Sequence, residues 1–270
     1  MSGRVLITGG AGFVGTNLAD RLLREGHRVT VLDDLSRAGV HQNLHWLKEC
    51  HGDRVSVEVA DVADRAALRR ALRGVARVFH LAAQVAVTTS LVDPDHDAHT
   101  NLTGTLALLE EMRRLAEPPI LLFTSTNKVY GGLEDVPLSE TDTRYEPAEA
   151  RLRQRGVGER RPLAFCTPYG CSKGAADQYV LDYAHSYGLR TVVFRMSCIY
   201  GPHQFGTEDQ GWVAHFLIRA LEGEPITVYG DGKQVRDVLF VEDLVDAMLR
   251  VTADGRFAGR AFNVGGGPAN

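Results

Sequence analysis

Arg4-Val5-Leu6-Ile7-Thr8 runs directly into Gly9-Gly10-Ala11-Gly12-Phe13-Val14-Gly15, and this junction decides the fold. The first five residues read as a short buried strand, apolar at three successive positions and closed by glycine. Beyond the glycines, Val14, Leu18, Leu22 and Leu23 recur at helical spacing, so the order is strand, tight turn, helix. Gly9, Gly12 and Gly15 stand three apart. In such a turn the first glycine permits the bend, the second lets backbone approach a pyrophosphate, and the third lets helix and sheet pack closely. Free N–H groups and the dipole at the helix start favour a phosphate there. The next apolar run, Arg28-Val29-Thr30-Val31-Leu32, ends in Asp33, near the spacing at which a carboxylate binds an adenosine ribose. A glycine turn alone is a weak signal. Strand, helix and acid together predict a dinucleotide site.

Working outward, apolar strands alternate with amphipathic helices through the first half, the mark of a parallel sheet covered on both faces. The predicted fold class is α/β, a doubly wound parallel sheet with a smaller, shortened lobe. A third strand is expected over 55–59, followed by Asp61, placed to meet an adenine ring. A helix follows over 65–72, and Arg77-Val78-Phe79-His80-Leu81 is a fourth strand ending in Ala82-Ala83. Those small residues allow a ligand close to the strand's carboxyl end, where open α/β sheets bind ligands. Residues 101–112 and 175–187 read as helices, 120–124 and 191–195 as strands. The sheet domain is expected over 1–195 and the lobe over 196–270, with part of the sheet domain interleaved around 235–250. Within the lobe, 212–221 reads as a helix, and 226–228 and 238–241 as short strands.

The net charge of −4 argues against electrostatic binding of nucleic acid. No apolar run is long enough for a membrane helix, and no charged-then-apolar leader opens the chain. Cys50, Cys166, Cys171 and Cys198 form no C-x-x-C pair, so reduced thiols and a cytoplasmic location are expected. Asp95, His96, Asp97 and His99 hold metal-ligating groups, yet a solvated turn is the simpler reading and no metal is expected. Residues 133–167 show no apolar period and carry Arg151, Arg153, Arg155, Arg160 and Arg161. They read as a long loop with a solvated basic surface, or as a lid over an anionic substrate.

Two pieces carry the chemistry. Thr124-Ser125-Thr126 closes a strand, and Tyr169-Gly170-Cys171-Ser172-Lys173 opens a helix. Tyr169 and Lys173 are four apart, so one helical turn stacks them on one face. A phenol titrates near pH ~10, and a neighbouring lysine cation, with the positive nicotinamide of a bound dinucleotide, is expected to lower that value until tyrosine can take an alcohol proton. Thr126 can orient the alcohol. Tyr-x-x-x-Lys occurs often by chance, and its weight comes from the glycine turn and Thr126.

These strings resemble a family, the extended short-chain dehydrogenase/reductases that act on nucleotide sugars. The likeness rests on the run from Thr8 to Gly15, His80-Leu81-Ala82-Ala83-Gln84, Asn101, Val129-Tyr130-Gly131, Pro168-Tyr169 with Lys173, and Arg236-Asp237. Within the family the chain is most similar to the CDP-paratose 2-epimerases, through Thr126-Asn127-Lys128-Val129, the stretch from Pro168 to Gln178, Asp209-Gln210-Gly211-Trp212 and the insertion before Tyr169. The resemblance implies NAD as cofactor and a nucleotide sugar as substrate. Tyr169 would deprotonate the sugar 2-hydroxyl while hydride leaves C2, and the keto sugar would turn and regain it on the other face. Cofactor contacts are implied for Gly9, Gly12, Phe13, Val14 and Gly15, for Asp33, Asp34, Ser36 and Arg37, and for Asp61 and Val62. They are implied also for Leu81, Ala82, Ala83 and Gln84, and for Asn101, Thr124, Tyr169 and Lys173. Substrate contacts are implied for Asn127, Cys198 and Arg236, the arginine holding a diphosphate. A carboxylate such as Asp33 suits a free ribose 2′-hydroxyl, while Arg37 is the residue type that accommodates a 2′-phosphate.

Rival activities separate at few positions. A sugar 4,6-dehydratase needs an acid directly after the strand-end threonine, and Asn127-Lys128 stand there instead. A 4-epimerase uses the same Thr, Tyr and Lys; it commonly places asparagine where this chain has Cys198. Arg236 is read as a substrate ligand in preference to a structural partner of Asp237 or Asp243. Family members run on past Asn263-Val264-Gly265-Gly266-Gly267-Pro268-Ala269-Asn270, so a binding protein with an incomplete sugar site is the alternative of another class. A homodimer through helices 101–112 and 175–187 is expected by resemblance.

Overall fold

The computed structural model describes residues 3–267. The chain opens with β1 (Arg4–Thr8), which feeds helix α1 (Phe13–Arg24), then β2 (Arg28–Asp33), α2 (Val40–His51) and β3 (Val55–Val59). After α3 (Arg65–Ala71) the chain crosses to the other side of β1 and forms β4 (Val75–His80). Three helical pieces follow, α4 (Val87–Val92), α5 (Pro94–Ala98) and α6 (Gly104–Arg113), the last two joined by a π-helical turn at His99–Thr103. Strand β5 (Ile120–Thr126) precedes the insertion, which contains β6 (Leu138–Glu140), β7 (Tyr145–Pro147) and α7 (Ala150–Arg155). The long α8 (Thr167–Tyr187) then leads to β8 (Thr191–Met196), β9 (Cys198–Tyr200), α9 (Trp212–Glu222), β10 (Val238–Phe240), α10 (Val241–Val251) and β11 (Arg260–Val264).

Seven strands form one parallel sheet in the order β11-β8-β5-β4-β1-β2-β3. Successive residues of a strand point to opposite faces, and β1 divides its side chains accordingly. Val5 and Ile7 join the core under α1 and α10, with Leu18, Leu22, Leu244 and Met248. Leu6 joins the opposite core, with Leu68 of α3, Leu108 of α6 and Val180 of α8. Both faces are therefore dry, which explains the near-continuous apolar strands. The strand order reverses between β1 and β4, the switch point at whose carboxyl ends ligands bind in such sheets.

Several expectations shift. The insertion is not a plain loop: β6 and β7 pair antiparallel, and Tyr145 N donates to Lys233 O at 3.1 Å. Residues 226–228 form no strand; Ile226 and Val228 are exposed, while β10 pairs with β9 in a separate two-stranded sheet. The boundary at 195 is crossed twice. Helix α10 covers α1, and β11 returns to the main sheet as an edge strand beside β8, beyond the interleaving expected around 235–250. Residues 1–2 of the expected sheet domain and 268–270 of the quoted tail lie outside the described residues.

Candidate active site

The glycine turn is built by steric necessity. Gly9 has φ +68°, and a Cβ there would lie 2.6 Å from Ala82 N at the end of β4. A Cβ on Gly15 would strike Gly9 O and the Gly10 backbone. Gly12, the cap of α1, has only Gly9 O nearby, at 3.2 Å, and no side chain caps the helix. Turn and helix thus meet at Gly9 and Gly15, while the face at Gly12 is left for a phosphate. Phe13 and Val14 are half-buried beside it, as are Leu81, Ala82, Ala83 and Gln84 after β4.

Asp33 ends β2, buried, its Oδ2 accepting from Ala11 N and its Oδ1 from Leu35 N, both at 3.0 Å. Burial pushes its carboxyl above the usual value, and the two N–H groups oppose that rise. Each oxygen keeps a lone pair for a sugar hydroxyl. Asp34 closes its own turn by accepting from Ser36 N at 3.0 Å and Ser36 Oγ at 2.7 Å. Arg37 is exposed and within electrostatic reach of Asp33. Asp61 is exposed and faces His99 Nε2 at 3.1 Å; Val62, next to it, is buried under Gly104. Two buried carbonyl oxygens, Gln84 Oε1 and Asn101 Oδ1, have no partner among the described residues. Open glycine backbone, a ribose-type carboxylate and two waiting acceptors fit a dinucleotide with an amide-bearing ring.

Thr126, Tyr169 and Lys173 come together where β5 meets α8. All three are buried, and the Thr126 hydroxyl is near enough to the Tyr169 phenol to favour its ionised form. Tyr169 N donates to Ser90 Oγ of α4 at 3.2 Å, which fixes the first turn of α8. Lys173 Nζ donates to Thr124 O at 2.6 Å and lies 4.2 Å from the Phe123 ring centroid. Burial pushes Tyr169 up to about 12, with the Thr126 hydroxyl acting the other way. Burial likewise pulls Lys173 down to about 7, against the carboxylates of Asp177 and Asp97. Desolvation outweighs the charges on both groups. A positive ligand beside them would favour the phenolate.

The substrate candidates gather at the small sheet. Cys198, half-buried on β9, donates its N–H to Asp237 O at 3.3 Å, which places it beside the segment carrying Arg236. Arg236 is exposed, bonds Gln234 Oε1 at 2.6 Å and makes no ion pair among the described residues. Asp237 instead accepts from Gly266 N at 2.8 Å and Gly267 N at 3.2 Å. The guanidinium is therefore uncommitted to Asp237 or Asp243. Asn127 and Lys128 are exposed just past β5, with no carboxyl group at those two positions.

One reading near the site is corrected in part: Asp95, His96 and His99 are exposed as expected, but Asp97 is not. The segment carrying Asp95, His96 and Asp97 is helix α5, begun by Pro94 and capped by Asp93, and Asp97 is fully buried. Asp97 Oδ1 accepts from Asn101 Nδ2 at 3.1 Å and its Oδ2 accepts from Ser172 Oγ. The signal was available as a polar stripe, Asp97, Asn101 and Thr105, recurring every fourth residue along the helix. His80 was also without an assigned role. Thr105 Oγ1 donates to Asn101 O at 2.6 Å, so it can only accept from His80 Nε2 at 2.9 Å, and His80 Nδ1 accepts from Thr8 Oγ1 at 2.6 Å. This neutral histidine, pulled down to about 3 mainly by burial, ties β1 to the helix bearing Asn101. Among the described residues no three His, Cys, Asp or Glu side chains are placed to hold a metal ion.

Comparison with known proteins agrees with this geometry. The chain is 45% identical over 97% of its length to a CDP-paratose 2-epimerase of Salmonella typhi, covering 79% of that protein. It is 36% identical over 98% of its length to a UDP-glucose 4-epimerase of Mycolicibacterium smegmatis, covering 77% of it. The crystal structure of Thermus thermophilus UDP-glucose 4-epimerase in complex with NAD superposes with a TM-score of 0.78 at 32% identity, over 97% of this chain and 77% of that one. Residues 5–265 match the model of one family. The chain belongs to the NAD dependent epimerase/dehydratase family.

Proposed function

We propose that this chain epimerises a CDP-linked sugar at C2, with NAD as cofactor. The observation that carries the reading is the buried cluster of Thr126, Tyr169 and Lys173 beside an uncapped glycine turn. The 45% identity to a CDP-paratose 2-epimerase supports the choice of sugar nucleotide. NAD, when bound, supplies a hydride acceptor and a positively charged ring. Tyr169 takes the proton of the sugar 2-hydroxyl and later returns it. Thr126, beside the phenol, orients that hydroxyl. Lys173, anchored on Thr124 O, offers the cation that favours the phenolate. Asp33 reads the ribose, and Arg236 takes the substrate diphosphate in a forked grip.

The insertion serves as a cover for the sugar end. Its Lys233 contacts, Tyr145 N to Lys233 O and Lys233 Nζ to Glu140 at 2.6 Å, tie it to the loop leading into Arg236. A homodimer is inferred through 101–112 and 175–187, where Tyr179 and Tyr187 are exposed. A cytoplasmic location is inferred from four free cysteines. Among the described residues no helix is long and apolar enough to cross a membrane.

The test is incubation with NAD and CDP-paratose in deuterated water, with UDP-glucose in a parallel reaction. Conversion of the CDP-sugar with no solvent deuterium at C2 is expected, and Tyr169→Phe should lower turnover by about a thousandfold or more. Solvent label at C2, or turnover of UDP-glucose alone, would overturn the reading. The 36% identity to a UDP-glucose 4-epimerase makes 4-epimerisation the second reading, and the same two reactions distinguish it.

A further inference from the structure

Asp97 is a fully buried carboxyl group on α5 that no step above uses. Its two oxygens accept from Asn101 Nδ2, at 3.1 Å, and from Ser172 Oγ. Asn101 Nδ2 also reaches Ser172 Oγ at 3.1 Å, and Ser172 Oγ lies 3.2 Å from Tyr169 O. Ser172 falls between Tyr169 and Lys173 in α8, so this knot grips the one helical turn that carries both. Charge adds a second effect. Lys173 interacts with Asp177 along α8, with Asp97 from α5 and with His80 from β4; Tyr169 stands one helical turn before it. Asp177 acts on it more strongly than Asp97 does. Yet Asp177 is already neutralised by a bidentate pair with Arg195, both contacts at 2.9 Å, and His80 is uncharged. Asp97 in turn faces Lys173 and Tyr169 from α8 and His96 from its own helix, and has no arginine. Burial pushes the Asp97 carboxyl up, while the Ser172 hydroxyl and the Lys173 ammonium act the other way, so Asp97 is the carboxyl near the ammonium with no arginine partner among the described residues.

We propose that Asp97 is a positioning residue, which through Ser172 and Asn101 fixes the Tyr169–Lys173 turn and places a carboxyl group where its charge acts on the lysine. The inference rests on the reading of Tyr169 and Lys173 as the working pair. It makes both limbs of the pH profile depend on one side chain that touches neither substrate nor cofactor. Removing a negative charge lowers the titration of every nearby group, so phenol and ammonium should move the same way.

Lys48, Lys128, Lys173 and Lys233 are the chain's four lysines, which makes Lys173 directly observable by NMR of protein labelled with ¹³C-lysine. In Asp97→Asn its midpoint should fall by about half a unit to one unit while the other three stay in place. Both limbs of the kcat profile should move to lower pH, with KM within about twofold. A Lys173 midpoint equal to that of the unsubstituted protein would overturn the proposal. The NMR titration needs no turnover, so failure of the CDP-sugar reaction would remove the proposed function and leave Asp97 to be judged separately. Should Asp97→Asn not fold, Ser172→Ala keeps the carboxylate and cuts the grip. It should lower kcat at least about fivefold with the limbs unmoved; an unchanged kcat would refute the proposal.

Discussion

Lys173 Nζ donates to Thr124 O at 2.6 Å, so the buried ammonium of α8 is moored to the strand end that also carries Thr126. This single bond sets where helix and sheet meet in the cleft. It also commits a cation to a dry place, and burial holds that cation's pKa down at about 7, below its ordinary 10.5.

A stability prediction follows from that displacement. Between about pH 7 and 10.5 the unfolded chain binds a proton at this lysine that the folded chain does not hold. Folding stability from this group therefore rises with pH across that window. Below it, the buried charge opposes folding in full. Lys173→Met should abolish turnover yet raise the melting temperature most below pH 7, the advantage shrinking towards pH 10.5. Thermal unfolding of both proteins across this range is the check; a constant difference would contradict it.

Asp33 carries the second prediction. Its oxygens support the turn through Ala11 N and Leu35 N, and they also face the ribose site. Asp33→Ala should weaken NAD binding at least about tenfold and NADP binding much less, because a carboxylate favours a 2′-hydroxyl and repels a 2′-phosphate. Loss of two buried bonds should also cost about 1–3 kcal/mol of stability. Fluorescence titrations with both nucleotides decide this. Greater loss for NADP would transfer cofactor choice to Arg37.

What could be seen in the sequence follows the range of the interactions. The stretch from Arg4 to Leu23 was legible because period, glycine geometry and burial all agree there, and β3 lies where its apolar pattern put it. Hairpin β6–β7 was not legible. Its three-residue strands are held by contacts such as Tyr145 N to Lys233 O, from a segment far away in the chain. Strand β11 escaped for a similar reason, since its place depends on pairing with β8. At α5 the density of acids and histidines suggested water, although Asp93-Pro94 is a helix start with a mechanism, the aspartate accepting from His96 N at 3.0 Å. The roles of Thr126, Tyr169 and Lys173 came from resemblance together with spacing. Spacing carries no measure of burial, and burial is what pushes Tyr169 up in the chain by itself.

The last prediction concerns Asp177 and Arg195. Asp177 is one helical turn beyond Lys173, and Arg195 lies on β8, both nearly inaccessible to solvent. Arg195 grips the carboxylate with Nε and Nη2, each at 2.9 Å, and its Nη1 donates to Tyr130 Oη at 2.9 Å. Tyr130 in turn donates to Asn263 Oδ1 at 2.7 Å, so the pair links α8, β8, the turn after β5 and β11. Removing one partner leaves the other charge buried alone. Asp177→Asn or Arg195→Met should each cost about 3–5 kcal/mol. The double variant should cost clearly less than the sum, since no lone charge remains. Denaturant unfolding of the four proteins measures the coupling. Additive costs would mean that the two side chains act independently and that the network through Tyr130 and Asn263 contributes little to the join between helix and sheet.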